Sequence, residues 1–267
     1  MPVLTLDDSN ALYYEYTPPA QPDRYTYVFF NALTGDVSMW NNSVVPALID
    51  AGHGVLLYNM RGQADRPHSD GSILDQQLIV ADAKALLAKV QPPRPVFVGL
   101  SIGGIFAAWT IHSGAECEAL VLLNTLRRDG PRLRWINDMV VRMSEVGGPM
   151  LMRDIMSPLI MNEDWLGENR ENCLLDEGYE PLPRDSGTYN LLSSARTTNW
   201  DFPYEELTQP VLVVTGRHDR VFRDPADIEI LFAQIPNARS IEFDNAGHMI
   251  PVEQPARLGE TLLSFPG

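Results

Sequence analysis

Short apolar runs that alternate with helical patterns constrain the fold of this 267-residue chain most strongly. The runs are rich in valine and leucine, which is typical of strands buried on both faces of a sheet. They lie at residues 55–58, 96–100, 120–123 and 211–215. Between them, apolar residues recur at helical spacing, as in residues 73–90. This alternation predicts an α/β fold with a mostly parallel sheet that helices cover on both faces.

The remaining predicted elements extend this sheet and its helical layers. They are a β-hairpin at residues 3–6 and 12–16, strands at 25–30 and 240–243, and helices at 37–51, 104–112, 225–234 and 253–265.

The predicted alternation of strands and helices is interrupted over residues 127–202. Residues 127–202 contain no apolar strand pattern, and their sequence predicts several short helices separated near Gly148, Gly167 and residues 181–183. Open α/β sheets bind ligands at the carboxyl ends of their strands. The sequence therefore predicts a core of residues 1–126 and 203–267, with residues 127–202 inserted as a helical cap (lid) over those strand ends.

Charge and cysteine content narrow the classes of partner. The net charge of −15 argues against nucleic acid or an anionic membrane as a partner, although an arginine inside a pocket could still bind an anion. The two cysteines match no metal or redox spacing, and residues 1–10 lack the features of a signal peptide. We expect a cytoplasmic monomer or homodimer that acts on a small molecule and needs no cofactor or metal.

The sequence Gly-Leu-Ser-Ile-Gly at residues 99–103 lies between a predicted strand and a predicted helix. A serine on such a sharp turn is exposed at the end of the sheet, where its hydroxyl can act as a nucleophile. The motif is weak evidence alone, because it also describes a glycine-rich helix start with an inert serine. Its position between two elements favours Ser101 as the nucleophile.

A serine nucleophile needs a base and an acid, which should follow it along the chain at strand ends. Asp219 follows the apolar run at 211–215, and His248 follows the predicted strand at 240–243. We predict that His248 is the general base and that Asp219 orients it. Asp224 and Asp244 are the alternative acids, but Asp224 precedes a proline and is more typical of a helix cap.

Backbone donors for an oxyanion are predicted at two loops. One is the N–H of Ile102, directly after the serine, and the other is the N–H of Leu33 in the loop after residues 25–30. This loop could instead be a simple turn into the next helix. The side chain of Asn31 could contact the substrate, or it could order the loop.

These candidate residues, in this order along the chain, resemble those of the α/β-hydrolase fold family, in its branch with a serine nucleophile. The resemblance extends from residues 25–30 to the Gly-His-Met-Ile-Pro-Val-Glu-Gln-Pro segment at 247–255. Residues 58–62 resemble the family's Asp-x-Arg-Gly stretch but carry Asn59 in place of the acid. Asn31-Ala32-Leu33, followed by Ser-Met-Trp at 38–40, is similar to 3-oxoadipate enol-lactonases and implies an esterase or lactonase.

Six of the ten methionines lie in the inserted segment, which begins with two consecutive arginines. Flexible thioethers such as those of Met152 and Met156 could bind an apolar acyl or ring group, or could simply fill a core. Arg127 and Arg128 could bind a substrate carboxylate, with exposure at the surface as the more common outcome.

These features predict a serine hydrolase that cleaves a small carboxylic ester or lactone through an acyl-enzyme. Two alternatives remain open from the sequence. One is a hydrolase of carbon–carbon bonds in vinylogous diketones, and the other is a small-molecule receptor that retains the triad.

Overall fold

Eight strands form one sheet in the computed structural model of the chain, which describes residues 3–64, 74–174 and 178–266. They are β1 (Val3–Thr5), β2 (Ala11–Thr17), β3 (Thr26–Phe30), β4 (Gly54–Tyr58), β5 (Pro95–Leu100), β6 (Ala119–Leu123), β7 (Val211–Gly216) and β8 (Ala238–Phe243). Their order across the sheet is β1-β2-β4-β3-β5-β6-β7-β8. Strand β2 pairs antiparallel with β1 and β4, and the other pairs are parallel. The predicted α/β fold with a mostly parallel sheet is therefore confirmed.

Ten α-helices accompany the sheet in the described part of the chain. They are α1 (Val37–Asn41), α2 (Val45–Asp50), α3 (Gln76–Val90), α4 (Ile102–His112), α5 (Pro131–Ile160), α6 (Glu163–Cys173), α7 (Gly187–Ser194), α8 (Pro225–Phe232), α9 (Ile250–Glu253) and α10 (Pro255–Leu263).

The sheet has a separate hydrophobic core on each face. Side chains along β3 alternate between them: Val28 and Phe30 pack into one core, and Tyr27 and Phe29 pack into the other. Successive side chains of a strand point to opposite faces, so a strand covered on both sides must be apolar throughout. This arrangement explains the continuous apolar runs.

One helix that the sequence predicts as continuous is divided in two, and another is preceded by a short separate helix. The predicted helix at 37–51 is α1 followed by α2, whereas the predicted helix at 253–265 corresponds to α10, which the short helix α9 precedes. Pro46 and Pro255 lie at the starts of α2 and α10. Proline has no N–H for a bond to the preceding turn, so a helix readily restarts at it. The predicted start of α3 at Ile73 lies outside the described residues; the helix begins at Gln76, with Asp75 as its cap.

The inserted segment, residues 127–202, contains α5, α6 and α7 and no strand among its described residues. Helix α5 spans 30 residues and breaks at Gly148, whose φ of 63° lies in the left-handed region that favours glycine. The predicted interruption at Gly167 is wrong, because this residue lies within α6. Residues 181–183 separate α6 from α7, as expected.

Candidate active site

Ser101 occupies the turn between β5 and α4, with φ 58° and ψ −124°. This backbone conformation is strained for a residue with a side chain, and such strain is concentrated at functional sites. A Cβ at Gly99 would collide with the backbone of Gly104, and one at Gly103 with the backbone at the end of β3. The Ser101 N–H donates to the carbonyl of Leu123 over 2.8 Å. The glycines and this bond allow the turn to form tightly against the sheet.

His248 and Asp219 form a buried pair after the neighbouring strands β8 and β7. Nδ1 of His248 lies 2.6 Å from Oδ2 of Asp219, and the two residues are 4% and 3% exposed. Oδ1 of Asp219 accepts the N–H groups of Val221 and Phe222 over 3.1 and 2.9 Å. The structure thus brings together the predicted base and the predicted acid.

The charge on Asp219 determines which imidazole nitrogen of His248 can act as a base. Burial acts to raise the pKa of Asp219, but the His248 imidazole and the Phe222 N–H outweigh it and hold the pKa below its usual value. An ionised carboxylate only accepts hydrogen bonds, so Nδ1 of His248 carries the hydrogen that it shares with Asp219. Nε2 is then the unprotonated nitrogen that can act as a base.

The two alternative acids, Asp224 and Asp244, have partners other than His248. Asp224 caps α8 by accepting the N–H groups of Ala226 and Asp227, as its sequence context suggests. Asp244 has an exposed side chain 3.4 Å from Arg217. Of the three candidate acids, Asp219 is the one bonded to His248.

Arg127 lies directly beside the nucleophile candidate. Its Nη2 donates to Oγ of Ser101 over 3.0 Å and to the carbonyl of Asn124 over 2.7 Å. No hydrogen bond joins the Ser101 hydroxyl to His248 in this structure, in which both residues are described. Because Arg127 uses Oγ as an acceptor, the serine hydrogen remains free to be donated to a base.

The expectation that Arg127 lies at the surface is wrong, since the residue is 5% exposed. Its guanidinium carbon lies 4.7 Å from the ring centre of Trp200 and 4.5 Å from that of Phe222. The Phe222 ring in turn packs against His248, with 4.6 Å between ring centres. Burial lowers the pKa of Arg127 to about 10, and the charge of Asp219 opposes this shift. Arg128, by contrast, is exposed at the surface.

The two predicted oxyanion donors have no hydrogen-bond acceptor among the described residues. The N–H groups of Leu33 and Ile102 are therefore both available to a ligand. Gln63 orders the first of these loops, because its Nε2 donates to the carbonyls of Ala32 and Leu33 over 2.7 and 3.1 Å. Gln63 thus has a structural role in this loop.

Asn31 is fully buried, and both ends of its amide are bonded within the protein. Its Nδ2 donates to the carbonyl of Tyr58 and to Oε1 of Gln63, and its Oδ1 accepts from Nε1 of Trp40 over 2.7 Å. The amide therefore orders the loop, which corresponds to the alternative given for Asn31.

Met152 and Met156 are buried in a core of the inserted segment, with Ile136, Met143, Leu192 and Val221. This placement corresponds to the core-filling alternative. Leu33 and Phe222 pack against the edge of this core and connect it to the surroundings of His248.

Asn124 holds the acid and base loops together, which the sequence analysis missed. Its Nδ2 donates to the carbonyls of Gly247 and His248, both over 2.9 Å, and its Oδ1 accepts the N–H of Gly216 over 2.8 Å. The available signal was a polar residue at the carboxyl end of a buried strand. Glu253 has a related role, since its carboxylate accepts the N–H groups of Gly247 and Met249.

We expect Asn124→Asp to destabilise the protein strongly. The new side chain loses both N–H donors and presents oxygen to two buried carbonyls, each of which costs about 1–3 kcal/mol when left without a donor. The expected loss is about 2–6 kcal/mol of unfolding free energy, measured by urea denaturation. Asn237→Asp is the control, because Asn237 is exposed and makes the same kind of amide-to-carbonyl bond. Equal losses in the two variants would contradict the role assigned to Asn124.

Over residues 3–64, 74–174 and 178–266, no cluster of histidine, cysteine or carboxylate side chains could hold a metal ion. None of the helices described combines the length and apolar character needed to cross a bilayer.

Comparison with known proteins relates this chain to alpha/beta hydrolases. A family model described as "Alpha/beta hydrolase family" matches residues 27–261. A 3-oxoadipate enol-lactonase from Acinetobacter baylyi is 25% identical over 245 residues, covering 90% of this chain and 88% of that protein.

Two solved structures share the fold over nearly the whole chain. An alpha/beta hydrolase from a Medee basin deep-sea metagenome library has a TM-score of 0.83 at 20% identity, covering 99% of this chain and 96% of that one. The enol-lactonase from Burkholderia xenovorans LB400 has a TM-score of 0.79 at 23% identity, with 99% of both chains covered.

Proposed function

The chain belongs to the alpha/beta hydrolase family, and on that premise we propose that it is a serine hydrolase that cleaves a small carboxylic ester or lactone through an acyl-enzyme. The observation that carries this proposal is the buried 2.6 Å pair of His248 and Asp219, which follows two strands on the same sheet as the strained Ser101 turn. The enol-lactonase relative supports a lactone or ester as the substrate class.

In the acylation step, Nε2 of His248 removes the proton from Ser101 as Oγ attacks the carbonyl carbon. The N–H groups of Leu33 and Ile102 stabilise the resulting oxyanion. Asp219 stabilises the imidazolium through Nδ1. His248 then gives the proton to the leaving oxygen, and the carbon–oxygen bond breaks.

Deacylation repeats the same steps with water as the nucleophile. His248 removes a proton from water, the hydroxide oxygen attacks the acyl carbon, and the Ser101 oxygen leaves with the proton returned by His248. The products are a carboxylic acid and an alcohol, or one hydroxy or oxo acid when the substrate is a lactone.

We also propose that residues 127–202 form a cap that excludes water from this site. Its support is two direct hydrogen bonds to the histidine loop, one from the last residue of α5 and one from Asn162, which caps α6. The N–H of His248 donates to the carbonyl of Ile160 over 2.6 Å, and Nδ2 of Asn162 donates to the carbonyl of Asn245 over 2.8 Å.

A panel of p-nitrophenyl esters and small lactones, followed by absorbance and by pH-stat titration, tests the proposed activity. We expect turnover of at least one ester or lactone series, and loss of that turnover after treatment with a fluorophosphonate. Absence of turnover across the panel, together with no reaction at Ser101, would contradict the proposal.

A further inference from the structure

Arg127 donates a hydrogen bond to the reacting atom of Ser101. Its Nη2 lies 3.0 Å from Oγ of Ser101 and 2.7 Å from the carbonyl oxygen of Asn124. Its Nε donates to the carbonyl of Thr125 over 3.3 Å. The proposed acylation and deacylation steps do not use the bond to Oγ, although it reaches the atom at which covalent bonds form and break.

The guanidinium of Arg127 is fixed in place before any substrate binds. Its two bonds to backbone carbonyls hold it from one side. The rings of Trp200 and Phe222 pack against it, with their centres 4.7 and 4.5 Å from the guanidinium carbon. A donor that is already oriented in this way needs no reorganisation while the reaction takes place.

The charge of Arg127 is not neutralised by a neighbouring carboxylate. The residue is 5% exposed, and it forms no ion pair with a carboxylate in the described part of the chain. Its charge interacts with Asp219 only at longer range. An unpaired cation in a buried site is costly to hold, but it stabilises negative charge on a neighbouring oxygen more strongly than a neutral donor does.

The strength of Oγ as a hydrogen-bond acceptor changes along the proposed reaction. In the free enzyme Oγ belongs to a hydroxyl group, which accepts hydrogen bonds well. In the acyl-enzyme it is the bridging oxygen of an ester, and it accepts poorly because its lone pair is delocalised into the carbonyl group. When the bond to the acyl carbon breaks, the electron pair returns to Oγ, and its acceptor strength rises again.

We propose that Arg127 is a catalytic residue of deacylation, in which Nη2 donates to Oγ of Ser101 as this oxygen leaves the acyl carbon. The bond between the acyl carbon and Oγ breaks, and its electron pair goes to Oγ. The proton on Nε2 of His248 moves to Oγ at the same time, while Arg127 keeps all its hydrogens. This inference rests on the proposed function, because it concerns the breakdown of the Ser101 acyl-enzyme.

The effect of Arg127 is confined to one of the two half-reactions. An interaction accelerates a step only when it is stronger in the transition state than in the state that precedes it. The bond from Nη2 to Oγ meets this condition in deacylation, which starts from a poorly accepting ester oxygen. It does not meet the condition in acylation, because Ser101 starts as a hydroxyl that already accepts the bond.

Arg127→Met, which removes the donor and keeps much of the side-chain volume, tests this difference. Stopped-flow absorbance with p-nitrophenyl acetate measures acylation from the initial burst and deacylation from the steady rate that follows. We expect the deacylation rate constant to fall by about 10- to 100-fold. Acylation and kcat/KM should stay within about threefold of the wild type, so that kcat and KM fall together.

This pattern distinguishes a catalytic role from a structural one. Arg127→Met leaves two buried backbone carbonyls without their donor, which could displace the surrounding loops. A displaced loop would slow acylation as well, because His248 and the two oxyanion donors serve both half-reactions. Equal losses in kcat and kcat/KM would therefore overturn the inference, as would an unchanged deacylation rate constant in the folded variant.

Two further variants complete the comparison. Arg127→Lys keeps the charge, but its nitrogen takes the place of the guanidinium carbon and lies farther from Oγ, so kcat should fall by about 3- to 10-fold with kcat/KM unchanged. If Arg127→Met does not fold, this variant decides by the same criteria. Arg134→Met is the control, because it removes the same charge from an exposed arginine of α5 that pairs with Asp129. It should retain both wild-type rate constants.

Labelling with a fluorophosphonate separates this inference from the proposed activity. The reagent reacts with the serine but needs no deacylation, so Arg127→Met should be labelled at Ser101 within about threefold of the wild-type rate. A wild type that turns over esters, with the same ratio of acylation to deacylation in Arg127→Met, overturns this inference alone. A wild type that is neither labelled nor active overturns the proposed hydrolase function and this inference with it.

Discussion

Replacing Ser101 with alanine is expected to abolish ester hydrolysis while the protein remains folded. The hydroxyl oxygen forms the bond to the acyl group, and no other group in the proposed mechanism can take its place. Removal of a serine nucleophile lowers kcat by about 10⁴ to 10⁶. The change deletes one buried hydrogen bond from Arg127, so we expect a loss in stability of about 1 kcal/mol. Initial rates on a p-nitrophenyl ester and a urea unfolding curve measure the two effects.

Ser113→Ala is the control for this variant. Ser113 follows the last residue of α4, whereas Ser101 precedes the first, and Ser113 is exposed. It should retain wild-type turnover. If Ser101→Ala kept more than about a tenth of the activity, Ser101 would not be the nucleophile.

Asp219→Asn is expected to lower kcat by about 10⁴ at neutral pH with little change in packing. Oδ1 of Asp219 accepts two backbone N–H groups, so the asparagine places its oxygen there and turns its NH₂ group toward His248. Nδ1 must then accept a hydrogen bond, which forces the imidazole hydrogen onto Nε2. A protonated Nε2 cannot remove the proton from Ser101.

The same variant should change the pH dependence of stability. The pKa of Asp219 is lower in the folded protein than in the unfolded chain, so its ionisation stabilises the fold above the ordinary pKa. That contribution is lost as pH falls through the folded pKa. Unfolding free energy in Asp219→Asn should therefore decline less as the pH falls below about 4 than it does in the wild type.

Asp224→Asn and Asp244→Asn serve as controls for the acid. Asparagine can also cap a helix, and Asp244 is exposed, so both variants should keep turnover near the wild-type value. A large loss of turnover in either variant, with Asp219→Asn active, would show that the acid is misassigned.

The positions of Ser101, Asp219 and His248 could be predicted because each depends on local sequence. Each follows a run of strand-forming residues at a short turn, and parallel strands bring such turns to one edge of the sheet. The helix start at Pro46 is equally local. It was missed because apolar spacing was weighed above the missing proline N–H.

The environment of Arg127 could not be predicted in this way. Its burial depends on Trp200 and Phe222, which are distant in sequence and meet it only after the inserted segment packs against the sheet. The role of Asn31 likewise depends on Trp40 in α1, Tyr58 in β4 and Gln63 in the loop after β4. Hydrophobic periodicity carries no information about which polar side chains meet across such distances.

The most direct test of a Ser101 acyl-enzyme is the mass of the protein after brief reaction with an ester, quenched in acid and followed by peptide mapping. The account predicts that the wild-type mass increases by one acyl group, located on the peptide that contains Ser101. Asp219→Asn should acquire this mass more slowly, and Ser101→Ala should not acquire it. Efficient turnover of the same ester with no adduct under any quench time, or an adduct on a different residue, would contradict the account.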